Sequence, residues 1–139
     1  DQGASGAVVL ARTPYRQLAG LIEVAMKSHF MDKTNWRKML VAGNPHPASV
    51  AADLAEAKDD AYEVCPPEFE DFLDEDDTVT LLEYPGVSFP EKVQSLNLTK
   101  EPNIKGTLEA IKGQYFILDG GRVFNVRRHS GHRVKWTLG

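Results

Sequence analysis

Arg127, Arg128, His129, His132, Arg133 and Lys135 gather around Ser130-Gly131 near the end of the chain, with Trp136 just beyond them. Guanidinium and ammonium groups at this density neutralise phosphates and release condensed counterions, so one reading is a nucleic-acid contact surface. The other is an ordinary basic strand end. If the segment is a strand, alternation sends Arg127 and His129 to one face and Arg128 to the other, dividing the patch unless the strand stops there. A second group, Lys33, Arg37 and Lys38, flanks Trp36, and Arg16 carries basic character further back along the helical region. Cations beside an aromatic ring suit a phosphate backbone tracked while a base stacks. The competing reading makes Trp36 a core anchor between helices and leaves the cations solvated.

Other chemistries lack their parts. His129 and His132 have no Cys or acidic neighbour in sequence, while His46 falls in a loop and His29 near a helix end, so a zinc site is not expected. Cys65 is the single cysteine; it precedes two prolines in an acidic neighbourhood, unlike the cationic setting that makes a reactive thiolate. Ser130-Gly131-His132 is not on a strand-to-helix elbow. Gly120-Gly121 has no helix after it and reads as a hairpin turn, not a phosphate loop.

The 139 residues suffice for one ordinary domain or two small ones, with 42% hydrophobic and 26% charged residues. The net charge of -4 is segregated: residues 1–40 are basic, residues 41–99 hold fourteen Asp/Glu against two Lys/Arg, and residues 100–139 are basic again. An acidic middle of this kind reads as a solvated linker. No apolar run approaches a bilayer span, so no membrane association is expected. Asp1-Gln2-Gly3 lacks the basic start and apolar core of a signal peptide, and the lack of an initiator Met suggests a piece of a longer protein. One cysteine fits a reducing, cytoplasmic compartment.

The elements follow from periodicity and turn chemistry. Gly6 to Arg12 reads as a buried strand. Thr13-Pro14 suit a helix start, and Leu18, Leu21, Ile22, Ala25, Met26 and Phe30 form one apolar face, with Arg16, Glu23 and Lys27 off its centre. Asp32 is the next expected cap, before a helix carrying Trp36, Met39 and Leu40 that ends near Gly43-Asn44-Pro45. Ser49 to Tyr62 is helical again and stops at Cys65-Pro66-Pro67. In the acidic stretch after it, Phe69, Phe72 and Leu73 are expected to dock a short turn. Strands are expected at 79–84, 93–99, 104–111, 114–118, 122–128 and 133–138, divided by Gly, Pro, Asn and Asp turns. Short strands at this spacing predict a closed antiparallel barrel, since closure removes exposed edges. The expected fold is α+β: residues 1–64 a strand with two or three helices, 65–78 an acidic connector, and 79–139 the small barrel.

Several blocks carry a resemblance: Asp1-Gln2-Gly3-Ala4, Ala19-Gly20-Leu21-Ile22-Glu23, Asp32 to Leu40, Tyr84-Pro85, Phe89 to Leu96, Ile111 to Tyr115 and Arg127 to Gly131. With these the chain resembles the C-terminal portion of a bacterial family known as domain of unknown function 2797. Many members are longer at the N-terminus, where they carry cysteine pairs and a segment similar to the first two strands of GIY-YIG nucleases. In those nucleases a helix bearing Ala-x-x-x-Glu follows the strands, and its Glu binds a divalent metal. The resemblance puts Ala19 and Glu23 in that place and implies Glu23 as a catalytic, Mg²⁺-holding carboxylate. The bland alternative is a solvent-facing Glu23 paired with Lys27 one turn on. The tyrosines and arginine of the nuclease would lie before residue 1.

Three functions follow as expectations. The first is a nucleic-acid-associated fragment, contacting DNA or RNA through Arg16, Lys33, Arg37, Lys38, Arg127, Arg128, His129, Arg133 and Lys135, without a complete catalytic site. The second is an interaction module whose barrel docks on a partner or on an N-terminal part of the same protein. The third is a divalent-metal phosphodiesterase that works only when that N-terminal part is present.

Overall fold

The computed structural model describes residues 2–31 and 34–139, and it divides them into two compact units. Asp1, the expected cap Asp32 and the expected site cation Lys33 lie outside the described residues. Unit 1 comprises residues up to Trp36 together with Asn44–Glu83; unit 2 comprises Arg37–Gly43 and Tyr84–Gly139, with Gln2. The class is α+β, as expected.

In unit 1, β1 (Gly6–Val8) pairs antiparallel with β2 (Val79–Leu81), matching Gly6 to Leu81 and Val8 to Val79. Helix α1 (Arg16–Met26) buries Leu18, Ile22 and Met26, one residue per turn. It starts two residues later than expected. Tyr15 occupies the cap position with extended backbone, and Thr13 Oγ1 donates to the Tyr15 carbonyl instead of capping. A later helix, α3 (Pro47–Val64), begins with His46, whose Nδ1 accepts from the Ala48 amide at 3.3 Å, and with Pro47 in its first turn. Cys65 leaves the helix in an extended conformation because a proline follows it. β1 lies close on α3: a Cβ at Gly6 would sit 2.6 Å from Val50 Cγ1. The core joins Ile22, Met26, Ala61 and Cys65, and Leu10, Phe30, Phe69, Phe72 and Leu73 pack against it.

The acidic stretch is thereby folded onto unit 1. A 3-10 helix over Pro67–Phe72 brings Phe69 and Phe72 to the core. The Asp74 amide then donates to the Leu10 carbonyl at 2.9 Å, and the Tyr62 hydroxyl donates to the Asp74 carbonyl at 2.6 Å. Buried Lys58 donates to the Asp76 carbonyl at 2.8 Å and to Asp77 Oδ1 at 2.7 Å. Most of the acidic side chains remain exposed, as a solvated face requires, while the backbone beneath them is fixed.

In unit 2, α2 (Trp36–Val41, its first residue grouped with unit 1) precedes a four-stranded sheet. The strands are β3 (Gln94–Ser95), β4 (Leu108–Lys112), β5 (Tyr115–Leu118) and β6 (Arg122–Asn125), in spatial order β3-β6-β5-β4. β4, β5 and β6 form an antiparallel meander, and β3 adds to β6 in parallel. Ile117 and Val123 are fully buried beside Tyr115, Ala110, Leu96 and Phe124.

The barrel is a correction: the sheet is open. Three local outcomes prevent closure. The expected strand at 79–84 pairs with β1 in unit 1 instead. The strand after Asp119-Gly120-Gly121 stops at Asn125, where the chain turns into a 3-10 helix over Arg127–His129. Residues 133–138 form no strand. Val126, the residue after the strand, is exposed for the same reason. One edge, β3, is only two residues long, and the β4 edge is covered by residues 85–87, where the Val87 amide donates to the Glu109 carbonyl and the Ile111 amide to that of Pro85.

Candidate nucleic-acid interface

Asn125 is the pivot of the basic end. Its Oδ1 accepts from the Arg128 amide at 3.0 Å, which starts the 3-10 turn in the manner of a side-chain cap. Its carbonyl lies 2.8 Å from His129 Nδ1, and the other ring nitrogen, Nε2, lies 3.2 Å from the Leu98 amide nitrogen. A backbone amide only donates and a carbonyl only accepts, so Nδ1 carries the proton and Nε2 is the acceptor. His129 therefore has both nitrogens committed and its ring buried. It organises the turn, and its surface contribution falls to its neighbours.

Those neighbours are the exposed Arg127, Arg128, Arg133 and Lys135. Ending the strand at Asn125 removes the alternation that would have sent Arg127 and Arg128 to opposite faces of a sheet. Arg122 is spent differently. Its Nη2 donates to Asp119 Oδ1 and to the Lys105 carbonyl, each at 2.7 Å, and this pairing holds the Asp119 carboxyl below its ordinary value. Beyond Asp119 the chain has five Lys/Arg and no Asp or Glu.

Aromatic rings from the same part of the chain form a continuous row of contacts. Trp136 meets Phe116 edge-on at 5.3 Å, Phe116 meets Phe124 at 6.5 Å, Phe124 stacks on His129 at 4.6 Å, and His129 meets His132 at 5.5 Å. His132 Nδ1 also donates to the His129 carbonyl at 3.2 Å. The row ends in two exposed rings, His132 and Trp136, and Arg133 and Lys135 lie between them in sequence. The signal for this arrangement was present in sequence as aromatic residues at 116, 124 and 136, but their contact depends on the register Phe116↔Phe124.

The remaining candidates lie on other elements. Arg16 is exposed at the start of α1 in unit 1, and Arg37 and Lys38 are exposed on α2 in unit 2. Trp36 is half-buried. Glu23 is exposed on α1, one residue from buried Ile22. Among the described residues, no three His, Cys, Asp or Glu side chains converge on a possible metal position. The buried Cys65 thiol is pushed up by burial first and then by Glu70 and Glu68.

Sequence reasoning passed over Lys112, which reads as a turn residue before Gly113. The structure buries it completely, with 0% exposure. Its ammonium donates to the Gly43 carbonyl and stands 5.4 Å from the centre of the Tyr84 ring. Gly43 ends α2 at φ +58°, and Phe89 occupies the space a Cβ there would need. A cation on the last carbonyls of a helix is electrostatically favourable. Burial nonetheless lowers the Lys112 pKa.

The fold and these side chains define a two-unit α+β protein whose C-terminal segment carries exposed cations and a row of aromatic rings in contact. The chain belongs to the family described as protein of unknown function (DUF2797), whose model matches residues 1–134. No curated protein and no solved structure matches it. No helix among the described residues is long and apolar enough to cross a membrane.

Proposed function

We propose that this chain associates with nucleic acid through the C-terminal end of unit 2. The observation that carries the reading is the exposure of Arg127, Arg128, Arg133 and Lys135 in a segment with no carboxylate after Asp119. Charge of one sign concentrates polyanions near such a surface. His129 supports the surface by fixing the turn that presents Arg127 and Arg128. In the same proposal the chain is the C-terminal portion of a GIY-YIG-like protein. Glu23 on α1 would then serve a divalent-metal phosphodiesterase only with N-terminal residues beside it, and the chain alone would not cleave.

A salt-dependent binding titration tests the association. Four phosphate contacts give a slope of log affinity on log salt of about -2.8 for single strands and about -3.6 for duplex DNA. Replacing Arg127 and Arg128 by Ala should flatten that slope by roughly one to two units. If the intact chain binds neither DNA nor RNA at low salt, the nucleic-acid reading fails. A protein-interaction role for unit 2 then takes its place.

A further inference from the structure

The aromatic row has consequences for the kind of nucleic acid that the proposed surface takes, and the argument rests on that reading. Trp136 is 63% exposed although it is the largest side chain of its segment. Phe116 holds it through one edge-on contact at 5.3 Å and an interplanar angle of 72°, which fixes the indole yet leaves much of its surface open. The row carries this fixing inward through Phe124 to His129, whose position is set by two hydrogen bonds. The result is a large, exposed ring seated on Phe116, with exposed Arg133 and Lys135 just before it in sequence.

We propose that this surface binds single-stranded nucleic acid, with a base stacked on Trp136 and the adjoining phosphates held by Arg133, Lys135, Arg127 and Arg128. Two physical arguments favour a single strand over a duplex. Bases in a duplex are already stacked, so Trp136 could engage one only by unstacking a step at a cost of a few kcal/mol. A single strand offers open base faces, and base–aromatic stacking with backbone contacts is its usual mode of recognition. The cations also lie on a three-residue 3-10 turn and on a segment without regular structure, neither of which supplies the helix or ribbon that fills a major groove. Stacking and phosphate contacts tolerate every base, so the surface should show little sequence preference.

The experiment uses the full chain and fluorescently labelled oligonucleotides of about 15 nucleotides, within the range of site sizes for such surfaces. Matched single strands and duplexes are titrated at low salt with the native protein, Trp136→Ala, Trp136→Phe and Arg127→Ala/Arg128→Ala. The expected result is tighter binding of the single strand, weakened by about five- to a hundredfold in Trp136→Ala and largely restored in Trp136→Phe. Duplex binding should change little in either Trp136 variant. A merely structural role for Trp136 would instead weaken both ligands together, which overturns the proposal. Equal affinity for duplex and single strand, or a Trp136→Ala variant that binds single strands as the native protein does, also overturns it while leaving nucleic-acid association standing. Loss of all binding by the native protein removes the association itself, and the proposal with it.

Discussion

Replacing His129 tests whether the basic turn is held as its geometry indicates. His129→Ala removes an acceptor from the Leu98 amide, a donor from the Asn125 carbonyl and a ring stacked 4.6 Å from Phe124. Leaving a buried donor unsatisfied costs about 1–3 kcal/mol, and the partly buried Leu98 amide belongs at the lower end of that range. Losing the aromatic pair costs about 0.5–1.5 kcal/mol beyond area burial. Some water will reach the vacated site, so a net loss of about 2–4 kcal/mol is expected from urea unfolding. Two further variants separate the contributions. His129→Phe keeps the stack and loses both hydrogen bonds, and His129→Asn keeps a donor near the Asn125 carbonyl and loses the stack. Both should fall between the native protein and His129→Ala. Amide hydrogen exchange at Leu98 should accelerate in all three, because none offers an acceptor where Nε2 stood. A His129→Ala variant within about 0.5 kcal/mol of the native protein, with Leu98 still protected, would refute this reasoning.

Three other outcomes are expected. Gly121→Ala should destabilise more than Gly120→Ala in denaturant unfolding: both positions have positive φ, but only at Gly121 would a Cβ overlap the Lys92 carbonyl oxygen, whereas nothing lies near Gly120. In acid, Asp74 and Asp76 should contribute to unfolding of the protein. The Asp76 amide, and then Arg12, lower the Asp74 pKa, and hydrogen bonds from Thr78 lower that of Asp76. Their stabilisation is therefore present above the ordinary carboxylate range and lost as pH falls through the depressed folded values, so Asp74→Asn with Asp76→Asn should flatten the acid limb of a stability–pH curve below about pH 4. Lys112 should act at the other extreme. Its folded pKa is lowered, so the unfolded chain binds more protons between that value and the ordinary lysine value; stability should rise with pH across that window, and Lys112→Met should lack this rise.

Local signals made the helices legible. Leu18, Ile22 and Met26 recur at four-residue spacing and are the buried face of α1, and Cys65-Pro66-Pro67 ends α3 where a proline-limited backbone must. The hairpin over Lys112-Gly113 was legible for the same reason, with Lys112 paired to Tyr115. What could not be read was pairing over long separations. Nothing near Val79 says that its partner is Val8, and nothing near Gln94 says that it will lie parallel to Arg122. Apolar alternation at 122–128 also concealed the competing Asn125 side chain, which captures the Arg128 amide and ends the strand. At the candidate interface the cations were legible from composition. The burial of His129 and Lys112 was not, because both are polar residues satisfied by carbonyls or amides that only the folded chain brings to them.

The grouping of Arg37–Gly43 with Tyr84–Gly139 bears on how the protein is made. A ribosome releases α2 well before β4, so the Gly43 carbonyl must wait for Lys112, synthesised 69 residues later. Meanwhile the residues between them, Asn44–Glu83, can assemble with the preceding chain, since Val79–Leu81 closes on Gly6–Val8. Leu40, fully buried in the finished fold, remains without its unit until the last third of the chain emerges. A product truncated after Glu83 would thus keep the residues of unit 1 and carry α2 as an unsatisfied apolar tether, a natural recognition point for chaperones and proteases.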